Sequence, residues 1–212
     1  MSAPGAHDFR VVATELVHRG AILALRVDGV RMPGGRVAER EVVEKHGAVA
    51  VLALDEQDHV LLLHQYRHPL GRRLWELPAG LLDVAGEEPV LAAARELAEE
   101  AGLAAQRWSV LVDVASSPGF TDEAVRVFLA QGLTAVASGT GADDEESDLT
   151  TAWVPLGQAV SRVLSGEIAN CTAVSGLLAL AAARSTGTAP RAVDAEWVDR
   201  PERFVARGPR GA

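Results

Sequence analysis

Residues 80–103, GLLDVAGEEPVLAAARELAEEAGL, place Glu96, Glu99 and Glu100 at i, i+3 and i+4, with Arg95 beside them and Gly102 closing the run. On an α-helix that spacing puts the three carboxylates on one face. Like charges so placed repel by roughly 0.2–0.5 kcal/mol per pair, so an isolated helix loses by carrying them. A hard divalent cation such as Mg²⁺ takes oxygen ligands and reverses that sign. An acidic run alone is ordinarily a solvated helix face. With a divalent cation among the three carboxylates, the segment reads instead as a metal site for phosphate chemistry.

Seven residues stand between Glu87 and Arg95, and Arg95-Glu96-Leu97-Ala98-Glu99-Glu100-Ala101-Gly102-Leu103 follows without interruption. The stretch resembles the Nudix box: Gly, five residues, Glu, seven residues, then Arg-Glu-aliphatic-any-Glu-Glu-any-Gly-aliphatic. Seven fixed positions at roughly 7% average usage each match by chance in such a chain on the order of once in a million or less. The departure lies between Gly80 and Glu87, where six residues stand in place of five. The extra residue lengthens the loop before the helix and leaves the helical spacing intact.

The resemblance implies an α/β fold, the Nudix α/β/α sandwich around a mixed sheet, with a small N-terminal antiparallel β appendage. It implies hydrolysis of a nucleoside diphosphate linked to another group, with Mg²⁺ as cofactor and Mn²⁺ as a possible substitute. By the same resemblance Glu96 and Glu100 are direct metal ligands. Glu99 is a further ligand, directly or through water, with a catalytic share, and the Ala79 carbonyl is a backbone ligand. Gly80, Glu87, Arg95 and Gly102 form the frame of the box, with Glu87 and Arg95 as an ion pair holding loop to helix.

Further residues are similar to the ADP-ribose pyrophosphatase subfamily. Pro118 lies fifteen residues beyond Leu103, within Ser117-Pro118-Gly119-Phe120-Thr121-Asp122-Glu123. Gln65-Tyr66-Arg67, Arg72-Arg73-Leu74-Trp75-Glu76-Leu77-Pro78-Ala79-Gly80 and the strand ending in Arg40-Glu41 are of the same kind. Taken alone, Ser-Pro-Gly is a turn and the arginines are solvated. As members of the subfamily, Arg67 and Arg40 line the adenosine end, Arg40 reaching in from a partner subunit. Ser117, Gly119 and Glu123 then belong to the substrate loop, with Glu123 accepting from the terminal ribose hydroxyls. The general base falls in the acidic loop Asp143–Asp148 as Glu145, with Glu146 as the alternative. Family members can stack adenine on an aromatic after the Arg-Gly of the first hairpin; here Ala21 and Ile22 follow Arg19-Gly20.

Around the box, residues 9–45 read as three antiparallel strands punctuated by Asp28-Gly29 and Pro33-Gly34-Gly35. The continuous apolar run GAVAVLAL, residues 47–54, reads as a strand buried on both faces. Strands at 59–67, 74–78, 108–115, 124–130 and 152–154 follow, with helices from Pro89, over 156–164 and over 171–184. Leu91, Ala94 and Leu97 form the expected apolar face of the box helix. The helix over 171–184 is apolar almost all round and is expected to be buried, Cys171 with it. Domain boundaries are expected at 1–46 for the strands, exchanged in a dimer, at 47–190 for the hydrolase domain, and at 191–212 for a loosely packed tail tied down by Trp197.

A net charge of −9 argues against nucleic acid or an anionic membrane as partner. The lone cysteine excludes an internal disulfide framework. No apolar leader or span of ~20 residues is present, so a cytoplasmic enzyme is expected, acting on a small molecule as a homodimer. Two other readings stay open: hydrolysis of other nucleoside diphosphate sugars, and a non-catalytic ADP-ribose-binding regulator.

Overall fold

The structure, a computed structural model, describes residues 8–136 and 149–208. These form two compact units. One comprises the described parts of Met1–Gly47 and Arg200–Ala212 together with Ser117–Glu123; the other holds Ala48–Ser116 and the described part of Ala124–Asp199.

In the first unit, β1 (Val11–Arg19), β2 (Leu23–Arg31) and β3 (Val37–Lys45) form an antiparallel sheet in that order. β1 is an exposed edge strand, with Val11, Val12, Leu16 and Val17 all open to solvent. The inner face of β2 is not apolar throughout. Arg26 and Asp28, two residues apart and therefore on one face, are both buried. Arg26 donates to Asp28 at 3.1 Å and to Glu44 of β3 at 2.7 Å. Buried charges are tolerated only when paired in this way. The chain returns to this sheet at Ser117–Glu123, where Val43 N–H donates to Phe120 O at 2.7 Å and Asp122 N–H to Val43 O at 3.2 Å. The last described stretch, expected to be loose, is packed here. Phe204, in the short helix Arg203–Ala206, is buried edge-on to His46 at 4.7 Å.

The second unit runs β4 (Ala48–Ala53), β5 (His59–Arg67), β6 (Arg72–Glu76), β7 (Ala79–Leu81), α1 (Pro89–Ala101), β8 (Leu103–Ala115), β9 (Ala124–Ala135), β10 (Thr150–Pro155), α2 (Leu156–Leu164) and α3 (Cys171–Thr186). A four-stranded mixed sheet has the order β7-β4-β9-β8, with β4 parallel to β9 and the other pairs antiparallel. A second, antiparallel sheet has the order β10-β5-β6. All six residues of β4 are buried, because both of its faces are covered. Ala48, Ala50 and Leu52 join Val125, Val127 and Leu129 of β9 in a core completed by Ala159 of α2 and Ala173, Leu177 and Leu180 of α3. Val49, Val51 and Ala53 face the other way, against Ala92, Ala93 and Leu97 of α1. The result is an α/β/α sandwich around a mixed sheet. Each fully buried Val or Leu contributes roughly 1.5–3 kcal/mol, so this double-sided strand anchors the unit.

Several expectations are corrected in detail. Ala92, Ala93 and Leu97 form the buried face of α1, while Leu91 is 59% exposed. Small alanines let the helix lie close on the sheet, and that rotation turns Leu91 outward. α3 is buried on one stripe only, with Leu178 exposed. At Gly176 a Cβ would stand 3.1 Å from Leu77 and 3.2 Å from Val127, so the helix approaches the sheet through a residue without a side chain. Cys171 is exposed, not buried; it opens α3 just after Asn170, whose side chain caps Thr172 N–H and Ala173 N–H. β8 starts five residues earlier than the expected Trp108, because Gly102 turns the chain in the left-handed region (φ 61°) directly out of α1. Trp197 packs under Arg126, whose guanidinium lies 4.9 Å from the indole, donates to the carbonyls of Ala195 and Glu196, and is paired with Asp113.

Candidate active site

The box is built from β7 and α1. Pro89 starts the helix with a fixed φ where no amide donor is needed, and Gly102 ends it. Between these the helix presents Glu96 and Glu100 to the backbone of β7. A Cβ at Gly80 would fall 2.0 Å from Glu96 Oε1 and 2.1 Å from its Cδ, so the carboxylate occupies the space where any other residue carries its side chain. One residue earlier, Ala79 N–H donates to Glu100 Oε2 at 2.9 Å. Two of the helix carboxylates are thus clasped to adjacent residues of one short strand.

Arg95 is the hub of the remaining acids. Its Nε and Nη2 donate to the two oxygens of Glu87, both at 3.2 Å, fastening the loop before the helix. Its Nη1 donates to Glu96 at 2.7 Å and Glu99 at 3.0 Å. These bonds, that to Glu87 foremost, hold the guanidinium well above its ordinary pKa. Glu96 is shifted upward: burial disfavours its charge, Arg95 opposes that, and the charges of Glu99 and Asp83 reinforce it. Asp83 was not among the residues singled out from sequence. Its signal was an acid in the loop between Gly80 and Glu87.

The donor set fits a hard divalent metal. Among the described residues no three His, Cys, Asp or Glu side chains converge as a ready-made cage. The chemistry is nevertheless that of an oxygen site short of positive charge. Arg95 supplies one charge against Glu87, Glu96 and Glu99, and the crowded, half-buried Glu96 has its carboxyl pKa raised. A cation among these oxygens would relieve the repulsion that Arg95 leaves uncompensated.

A methyl group at position 80 should therefore act first on Glu96. Gly80→Ala is expected to keep the folded circular dichroism spectrum and lower kcat/KM at least about tenfold, because the displaced carboxylate no longer lies where a transition-state interaction needs it. Unchanged kcat/KM would show that the position of Glu96 is immaterial to turnover.

The other singled-out residues are placed as follows. Arg67, at the end of β5, is bound bidentately by the buried Glu76 of β6, with Nε and Nη2 at 2.9 and 2.8 Å. Its side chain stays 43% exposed, so a fixed cation is presented to solvent. Sequence reading missed Glu76 as its holder; the signal was an acid at an inward-facing position between Leu74 and Leu77. Arg40 is exposed on β3 and donates to the Glu39 carbonyl at 2.8 Å. Ser117 O accepts from Phe120 N–H and Thr121 N–H, forming the turn of its loop. Gly119 is exposed, with open space where a Cβ would stand. Glu123 is paired with Lys45, a partner likewise missed. Glu145 and Glu146 lie outside the described residues.

Comparison with known proteins places these features in context. Residues 44–171 match the NUDIX domain model, and residues 9–43 match the nucleoside diphosphate sugar hydrolase N-terminal domain. An ADP-ribose pyrophosphatase of Mycobacterium tuberculosis is 55% identical over 201 residues, covering 95% of this chain and 97% of that protein. An ADP-ribose pyrophosphatase of Bacillus subtilis is 39% identical over 137 residues, 65% of this chain and 74% of its own length. Among solved structures, a crystal structure of an ADP compounds hydrolase superposes with a TM-score of 0.75 at 20% identity, covering 88% of this chain and all of that one. At that identity the likeness concerns the fold.

Proposed function

Because the chain belongs to the Nudix hydrolases, we propose that it hydrolyses the diphosphate of ADP-ribose to AMP and ribose 5-phosphate. The observation that carries this reading is the clasp of Glu96 and Glu100 on Gly80 and Ala79, in a chain 55% identical along nearly its whole length to an ADP-ribose pyrophosphatase. Glu96, Glu99, Glu100 and the Ala79 carbonyl would hold Mg²⁺, or Mn²⁺ in its place. A metal held there would supply positive charge to offset that of the phosphoryl oxygens.

The protein's own groups do the rest. Arg95 restrains Glu96 and Glu99 while tying the loop through Glu87. Arg67, held rigid by Glu76, offers a planar cation for the adenosine end, joined by Arg40 of a second subunit. Ser117, Gly119 and Glu123 receive the terminal ribose. Glu145, with Glu146 as the alternative, takes the proton from the attacking water. The oxygen of that water forms the new bond to phosphorus, the bridging P–O bond breaks, and the other phosphate leaves with the bridging oxygen.

A turnover screen over ADP-ribose, other nucleoside diphosphate sugars and dinucleotides, with Mg²⁺ or Mn²⁺, tests the reading. ADP-ribose is expected to show the highest kcat/KM, with AMP and ribose 5-phosphate as products. The match of residues 9–43 to a nucleoside diphosphate sugar hydrolase domain favours a second reading, in which another such sugar is preferred. Absence of turnover on every substrate would leave a binding protein, against which the retained Glu96, Glu99 and Glu100 speak.

We place the enzyme in the cytoplasm as a homodimer with no nucleic-acid or membrane partner. Among the described residues no helix is long and apolar enough to cross a membrane. The support for a dimer is β1, whose exposed Val11, Val12, Leu16 and Val17 lie on a sheet edge, where unpaired backbone and apolar side chains invite another chain. Sedimentation at assay concentration is expected to give twice the chain mass of 22.3 kDa; a fully active monomer would overturn the assignment.

A further inference from the structure

Within the N-terminal unit, a buried carboxylate is shared by two distant arginines. Glu44 of β3 has its side chain only 1% exposed. It accepts from Arg26 at 2.7 Å, and from Arg207 through both Nε and Nη2, the latter at 3.1 Å. Arg26 is itself divided between Glu44 and the buried Asp28. Without Arg207, two buried carboxylates would share one guanidinium. Arg207 directly follows the short helix Arg203–Ala206, whose Phe204 is buried against His46.

The residues on either side of Glu44 do something else. Val43 exchanges backbone hydrogen bonds with Phe120 and Asp122. Lys45 N–H donates to Asp122 Oδ1 at 3.0 Å, and Lys45 Nζ is paired with Glu123. In a strand, alternate side chains point to opposite faces. Glu44 is thus the inward peg of a segment whose flanking residues grip the Ser117–Glu123 loop. The influence reaches Asp122 through space as well: burial raises its carboxyl pKa and the Glu44 charge adds to that rise.

We propose that Arg207 is a positioning residue for substrate recognition: by holding Glu44 it fixes the end of β3, which in turn sets the Ser117–Glu123 loop. The role for the loop rests on the reading that it receives the terminal ribose of ADP-ribose. The C-terminal segment is then part of the recognition apparatus, though it touches no substrate.

The test uses the full-length enzyme as wild type, Arg207→Ala, Arg207→Lys, and the double variant Arg207→Ala/Glu44→Gln. The readouts are KM and kcat for ADP-ribose, and backbone hydrogen exchange across residues 117–123 in the free protein. Arg207→Ala should raise KM about tenfold with kcat within about twofold, since binding and not chemistry is affected. Exchange in the loop should quicken about tenfold while that of β1 and β2 is unchanged. Arg207→Lys, which keeps the charge and loses the two-pronged contact, should fall between wild type and Arg207→Ala. The double variant should recover both readouts, because the unpaired buried charge has been removed with its partner. Unchanged KM and loop exchange, equal loosening of all three strands, a loss confined to kcat, or a double variant no better than the single would each overturn the proposal. If the wild type fails to turn over ADP-ribose, the substrate reading fails, and the exchange comparison still decides whether Arg207 positions the loop.

Discussion

Glu100→Gln should leave a folded, nearly inactive protein. The amide still offers an oxygen to Ala79 N–H, at the position where Glu100 Oε2 now accepts at 2.9 Å, so the clasp between α1 and β7 is retained in shape. What is lost is one unit of negative charge. If Glu100 is among the groups that hold the metal, the loss removes several kcal/mol of transition-state stabilisation, roughly three powers of ten in kcat. Thermal unfolding separates this from collapse: Tm should stay within a few degrees, as for a substitution that preserves packing. Calorimetric titration with Mg²⁺ should show weakened binding. A variant that keeps the wild-type kcat at ordinary Mg²⁺ would remove Glu100 from the site.

Glu145→Gln should lower kcat by at least about a hundredfold, the range for loss of a general base, while leaving Mg²⁺ affinity near normal. Base and ligand are thereby told apart, since Glu100→Gln weakens metal binding and Glu145→Gln does not. Glu146→Gln should be the milder of the two. If it is the more damaging, the assignment along the acidic stretch is off by one residue and the chemistry stands. If both change kcat by less than a few-fold, the base lies elsewhere in the chain.

Much of the fold was legible because burial leaves a direct mark on the sequence. The unbroken apolar stretch of β4 announced a strand covered on both faces, and Pro89 and Gly102 bracketed α1. Rotation about a helix axis is less visible. The apolar positions Leu91, Ala94 and Leu97 suggest one face, whereas the helix lies close on the sheet through the smaller Ala92 and Ala93. Cys171 was read as buried from its residue type, but it sits at an exposed helix start. The pattern of the box shows which carboxylates share a helix face. It does not show that Arg95 reaches two of them, Glu96 and Glu99, together with Glu87 of the preceding loop, since side-chain direction depends on the loop that brings Glu87 back. The polar set Arg26, Asp28 and Glu44 looks like the solvated face of a strand. Only the fold reveals that it is internally neutralised, with help from Arg207.

The two carboxylate clusters differ in how much chain separates their partners. Ala79 and Glu100 are 21 residues apart, whereas Glu44 and Arg207 are 163 apart. The entropy of closing the longer loop is greater by only about 2 kcal/mol, so at equilibrium the distance matters little. During synthesis it matters more, because chains emerge and fold from the N-terminus onward. The box can close once its helix has left the ribosome. Glu44 must wait until Arg207, 163 residues further along, has been made. The β1–β3 sheet is translated before the box, yet its charges are balanced only after the box can close.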